Sequence, residues 1–234
     1  MPRPFDLIYP PRCPICHDVV PLGEGLICTS CRPLPVRVGE PFCMKCGKPL
    51  DSESREYCGG CMKRAHAFDR GRGLFRYDDR MRASIAAFKY HGRREYSAYY
   101  AQELAAAMEG QIRRWQPEVL IPIPLHRSRK RERGYNQAEL TAKSLGKIWK
   151  IPVDTKLLVR KKRTVPQKQL DECQRRENLK TAFQISADDV KYKTVLLIDD
   201  IYTTGSTMDA AALALKEKGV RKVYFLCISI GSGR

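Results

Sequence analysis

The chain has 234 residues, 43% of them hydrophobic, and its 43 Lys and Arg against 26 Asp and Glu leave a formal charge of +17. That apolar content excludes a disordered polymer and supports one good core with a small appendage, while the charge favours anionic partners: nucleic acid, acidic lipid heads or phosphorylated small molecules, with a merely basic soluble surface as the alternative. The longest apolar stretches, such as Val119 to Leu125 and Val195 to Ile198, are too short to cross a bilayer, and "MPRPFDLIYPP" lacks the apolar core of a signal peptide, so a cytoplasmic protein is expected.

Eight of the ten cysteines fall in the first 61 residues as four C-x2-C pairs at a period of fifteen: Cys13 and Cys16, Cys28 and Cys31, Cys43 and Cys46, Cys58 and Cys61. Two thiolates three positions apart on a tight turn aim at one metal, and two such turns complete a tetrahedral zinc site. Disulfides would need an oxidising compartment, which nothing here suggests. Eight thiolates suit two structural Zn2+ ions, and four thiolates per ion leave no open position for catalysis. Sequential pairing gives a double zinc ribbon over residues 1–67; a cross-braced or nested pairing fits the spacing too. Such a segment, rich in Pro and Gly, depends on metal to fold. Cys227, in "VYFLCISI", reads as a small core residue, and Cys173 carries no assigned role.

From about Phe68 the composition changes, so residues 68–234 are expected to form a second domain. "GLFRY" reads as a short strand; "RMRASIAAFKY" and "SAYYAQELAAAMEGQIRRW" carry apolar residues at helical spacing, separated at "HGRR" by Gly92. "EVLIPIP" is an apolar strand, and "NQAELTAKSLGKIW" a helix with Asn136 as cap and Glu139 placed as in a capping box. "TVLLID" and "KVYFLCISI" read as doubly buried strands around a helix, "STMDAAALALKEKG", whose Met208, Ala211, Ala212 and Leu215 share a face and which Gly219 ends. The alternation predicts an α/β fold: a mainly parallel sheet flanked by helices, with ligand at the carboxyl ends of the strands.

The stretch "VLLIDDIYTTGST" then places Asp199 and Asp200 where a strand ends. After them, Thr203, Thr204, Gly205, Ser206 and Thr207 form a loop feeding a helix. Backbone N–H groups, the helix dipole and the hydroxyls make a receptor for a phosphate dianion, and the adjacent carboxylates accept from vicinal hydroxyls: together, a ribose 5-phosphate. Either half alone reads more readily as helix capping and a polar loop; the whole in order, directly after an apolar strand, favours the sugar phosphate. Two basic runs, Arg127, Arg129, Lys130, Arg131 and Arg133, then Arg160, Lys161, Lys162 and Arg163, supply cations for a pyrophosphate or for a nucleic-acid backbone. Tyr135, or Tyr99 and Tyr100, are candidate surfaces for base stacking, against the alternative that helices bury them.

"VLLIDDIYTTGST" closely resembles the phosphoribosyl diphosphate (PRPP) motif of type I phosphoribosyltransferases. "PIPLHRSRKRERGYNQAELTA" and "RKKRTVPQKQLDECQRRENLKTAF", with the cysteine knuckles, resemble the ComF family of competence-associated proteins, nearest its ComFC-type members, over essentially the full length. The resemblance implies a type I phosphoribosyltransferase fold with an N-terminal zinc ribbon. It implies Asp199 and Asp200 on the ribose, Thr203 to Thr207 on the 5-phosphate, and Leu125, His126 and Arg127 in a loop facing the pyrophosphate. A mobile hood would carry Arg163, Gln167, Arg176 and Asn178, and Lys89 in "FKYHG" is a further match. Mg2+ would accompany PRPP as ligand or substrate, no general base for a nucleobase being evident. Implied partners are PRPP, single-stranded DNA taken up in natural transformation, and other competence proteins, through which the chain would work at the inner face of the membrane. Three readings follow: a PRPP-binding factor handling DNA, a transferase acting on an unidentified base, and a nucleic-acid module with a vestigial pocket. The intact Asp-Asp and TTGST elements count against the last.

Overall fold

The computed structural model describes residues 10–160, 182–187 and 190–231. Arg163, Gln167, Arg176, Asn178, Lys161, Lys162 and Cys173 lie outside them. In chain order the elements are α1 (Gly59–Lys63), β1 (Arg70–Arg76), α2 (Asp79–Tyr90), α3 (Tyr96–Trp115), β2 (Val119–Pro122), α4 (Arg127–Arg133), α5 (Gln137–Trp149), β3 (Leu158–Arg160), β4 (Phe183–Ile185), β5 (Thr194–Tyr202), α6 (Ser206–Glu217) and β6 (Lys222–Ile230).

The continuous apolar runs become a four-stranded sheet in the order β1-β6-β5-β2, parallel throughout. Val195, Leu196, Leu197 and Ile198 are fully buried, each stabilising by roughly 1.5–3 kcal/mol. Strand periodicity divides them between two cores. Leu120, Leu196, Ile198, Leu226 and Ile228 join the core that also holds residues of α2, α3 and α5. Val119, Ile121, Val195, Leu197, Val223, Phe225 and Cys227 join the one under α6. The sheet is thus covered on both faces, as a parallel sheet requires.

Helix signals in the sequence hold with adjustments. The Asn136 side chain caps α5 by accepting from the Ala138 N–H at 3.1 Å. No capping box closes on it: Glu139 turns to Lys143 at 2.6 Å, where two oppositely charged side chains one turn apart meet. Gly219, with φ 88, follows α6. The stretch expected as a pyrophosphate loop is in part helical: His126 caps α4, accepting from the Ser128 N–H at 3.3 Å, and Arg127 is its first residue. Three residues each of β3 and β4 pair antiparallel in a second, two-stranded sheet that periodicity did not reveal. Tyr99, Tyr100 and Tyr135 are buried and offer no stacking surface. The Tyr135 hydroxyl donates to the Phe88 carbonyl, and Tyr100 bonds Ser84. Among the described residues no helix is long and apolar enough to cross a membrane.

Candidate functional site

The cysteines assemble into two tetrads, Cys13, Cys16, Cys28, Cys31 and Cys43, Cys46, Cys58, Cys61, the sulfurs of each lying within 4.8 Å of one another. A tetrahedron with Zn–S bonds of about 2.3 Å needs sulfurs about 3.8 Å apart. Cys16 to Cys28 measures 3.8 Å and Cys46 to Cys58 3.6 Å, so the residues fit two structural zinc ions in the sequential pairing. The two knuckles are built alike. Cys13 and Cys43 N–H groups donate to the carbonyls of Asp18 and Lys48, and left-handed residues, His17 at φ 68 and Gly47 at φ 76, turn the chain at matching positions. Gly47 is required there, because an added Cβ would lie 2.7 Å from the Gly71 carbonyl. His17 has room for a ring, which meets the Tyr96 hydroxyl at 2.9 Å.

The tetrads pack on different cores: Cys13 and Cys31 with α3, and Cys43, Cys46 and Cys58 with Tyr202 and Met208. The second is therefore continuous with the strand-to-helix turn that carries the hydroxyl loop. β2 pairs with β5 only as far as Pro122 against Ile198, whereas β6 follows β5 to Tyr202. Asp199 and Asp200 thus lie inside β5, three and two residues from its end, at the point where β2 departs; the strand does not stop at Ile198 as the sequence suggested. That departure opens a crevice at the carboxyl end of the sheet.

The carboxylates are held differently. Asp200 is ion-paired with Lys89 of α2, Nζ to Oδ1 at 2.8 Å, both side chains largely buried. Asp199 accepts the Asp200 N–H at 2.8 Å and, with Thr203 to Thr207, lines a single pocket. Burial and then the neighbouring Asp200 charge push Asp199 up to about 7; Lys89 and Arg160 pull the other way. Arg160 on β3 is half-buried over the Phe183 ring at 5.5 Å. Its pKa is lowered by burial first, then by Arg129 of α4, with Asp199 opposing. Arg160 is thus near enough to both Arg129 and Asp199 for their charges to act on it. The pocket combines Asp199 with the loop; Asp200 and Lys89 stand beside it.

The loop is shaped to receive an anion. Gly205 precedes α6 at φ 84, and the first intrahelical bond runs from the Asp209 N–H to the Gly205 carbonyl, leaving the N–H groups of Ser206, Thr207 and Met208 at the helix end. The Thr204 and Ser206 hydroxyls meet at 3.1 Å. A Cβ on Gly205 would lie 2.5 Å from the Tyr202 hydroxyl. Gly205→Ala is expected to destabilise the chain by about 2–4 kcal/mol, from the left-handed φ and the overlap together, read as a lower urea midpoint.

Sequence reasoning missed the support behind this turn. Asp209 takes the Ala67 N–H at 2.9 Å, the His66 ring at 2.8 Å and Arg64 at 3.2 Å, joining α6 to the segment that follows Cys61. An acid in the first helical turn was visible in the sequence, but it reads there only as a complement to the helix dipole.

The comparisons agree with this architecture. Residues 5–62 match the double zinc ribbon domain and residues 131–230 the phosphoribosyl transferase domain. The chain is 31% identical to competence protein F of Haemophilus influenzae over 91% of its own length and 93% of that protein's. It is 28% identical to competence protein ComFC of Bacillus subtilis, covering 82% and 79% of the two chains. It is also 28% identical to the DNA utilization protein YhgH of Escherichia coli O157:H7, covering 95% and 98%. On the joined ribbon and phosphoribosyltransferase-type fold, and on identity sustained over nearly the whole of both chains, the protein belongs to the ComF family.

Proposed function

We propose that this chain binds PRPP as its Mg2+ complex and handles incoming single-stranded DNA in the cytoplasm during natural transformation. The observation that carries the reading is the pocket uniting Asp199 with the Thr203 to Thr207 loop at the N-terminus of α6. In this reading Asp199 and Asp200 accept from the ribose hydroxyls, or hold them through Mg2+, and the loop N–H groups and hydroxyls take the 5-phosphate. Leu125, His126 and Arg127 face the pyrophosphate. Residues 1–67 serve as the zinc-ribbon unit and 68–234 as the ligand-binding unit. The names of the relatives, two competence proteins and a DNA utilization protein, support the DNA role. The exposed cations of α4 supply its electrostatics.

Titration calorimetry with PRPP and Mg2+ tests the ligand: saturable heat is expected, and a flat titration overturns the reading. For DNA, affinity for an oligothymidine should fall with salt at a logarithmic slope of roughly −3 if the α4 cations each meet a phosphate, and a salt-independent affinity would remove the electrostatic account.

A second reading, phosphoribosyl transfer to a base, is favoured by the cations flanking the acids. In this reading Lys89 and Arg160, whose charges act on Asp199, would stabilise the negative charge that collects on departing pyrophosphate. Breaking the C1–O bond leaves both electrons on the pyrophosphate, and a ring nitrogen of the base then closes the new bond to C1. Pyrophosphate released from PRPP only in the presence of one base among a panel would establish it.

A further inference from the structure

The tyrosines nominated for stacking from sequence are all interior, yet one aromatic side chain in the same region faces solvent. Tyr90, the last residue of α2, is 58% exposed. Its ring is held in place. The Arg133 guanidinium lies 4.7 Å from the ring centroid and donates to the Tyr90 hydroxyl at 2.9 Å. Arg133 also donates to Gln137 at 3.1 Å, and Gln137 donates to the Phe88 carbonyl at 3.2 Å, two residues before Tyr90. An arginine whose two terminal nitrogens are both bonded thus lies over one side of an aromatic ring, while more than half of the tyrosine's surface is exposed.

The surroundings select the occupant. Tyr90 stands between two cationic stretches that are far apart in sequence. One is exposed α4; the other is the turn from His91 to Arg94, docked beside it by the Arg94 guanidinium over the Tyr135 ring at 4.8 Å. Lys89, the preceding residue, reaches Asp200, so the ring marks the rim of the acid crevice. Cations on both sides of an exposed, braced aromatic ring match a single nucleic-acid strand, whose phosphates alternate with π-faces.

We infer that Tyr90, backed by Arg133, is a base-stacking platform on which a single-stranded nucleic acid is laid between α4 and the His91–Arg94 turn. This rests on the DNA-handling reading and gives it a residue. The strand enters along α4, one base stacks on Tyr90, and the backbone continues over the turn.

The test measures anisotropy of two labelled oligomers of equal length on the full zinc-loaded chain, an oligothymidine and its abasic counterpart, which keeps the phosphates and lacks the bases. Tyr90→Ala is expected to weaken oligothymidine binding about tenfold, leave the abasic oligomer unchanged and leave the salt slope unchanged. Tyr90→Phe and Tyr90→Trp, which keep a ring, should restore binding. Arg131→Ala should behave in the opposite way, weakening both oligomers and lowering the slope by about 0.7. The platform is overturned if Tyr90→Ala binds oligothymidine as tightly as the parent, or weakens both oligomers equally. A parent chain that binds neither oligomer would bring down the DNA-handling reading and the platform with it.

Discussion

Replacing Asp199 by Asn is expected to weaken PRPP binding by two orders of magnitude or more in calorimetry and, at pH 8, to raise the denaturation midpoint. Both effects come from one feature. Asp199 is an acid whose surroundings resist its ionisation, burial and Asp200 pushing it up to about 7. A folded-state pKa above the unfolded value means stability that is whole below about pH 4 and is lost as pH rises through 7. The parent chain therefore carries a cost at pH 8, on the order of a few kcal/mol, that Asn removes and that fades below about pH 3, where both states are protonated. Ligand affinity is expected to run the other way: the ionised carboxylate is the stronger acceptor for hydroxyls and the form that would hold Mg2+, so PRPP binding should strengthen as pH rises through 7. Asp200→Ala should differ in sign for stability. It strands the largely buried Lys89 without its partner at 2.8 Å, and a fall of about 3 kcal/mol is expected. If Asp199→Asn and Asp200→Ala both destabilised the fold equally at pH 8, the assignment of one costly and one paired acid would be wrong.

Loss of zinc should have the larger structural effect, and it should differ between the clusters. Structural zinc contributes on the order of 10 kcal/mol to folding a small cysteine domain, so a strong chelator is expected to unfold the ribbon and lower the melting temperature of the whole chain. Cys46→Ser strikes the tetrad whose residues share a core with Tyr202 and Met208 and whose following segment holds Asp209. It should therefore lower zinc content to one ion per chain and also abolish PRPP binding. Cys16→Ser strikes the tetrad packed beside Tyr96 and Tyr99 on the other core. It should lose one zinc and some stability while PRPP binding persists. Zinc quantitation together with calorimetry distinguishes the outcomes, and equal loss of binding in both variants would contradict the separate seating of the clusters.

The ComF resemblance and the local chemistry are both legible in the sequence. The period of fifteen among the cysteines, the apolar runs of β5 and β6, the amphipathic helix between them and the acid-acid-hydroxyl order each depend on neighbours within a few residues. Such features survive in a linear reading. The capping box at Glu139 and the end of β5 were misplaced for a different reason. Glu139 had Lys143 one turn away, and β5 extends to Tyr202 because β6 continues to pair with it after β2 has left.

The sequence by itself determined that this chain carries metal knuckles, parallel strands and a turn suited to a phosphate, because thiolate spacing, hydrophobic period and glycine placement act over short range. Only the tertiary structure decided which sulfurs share an ion, that Lys89 meets Asp200 across 111 positions, that Asp209 ties α6 to the second knuckle, and that Tyr90 faces water while Tyr99 and Tyr100 do not. Those outcomes follow from which faces the sheet buries and which elements it brings together, and burial and charge pairing between distant residues leave no periodic mark in a sequence.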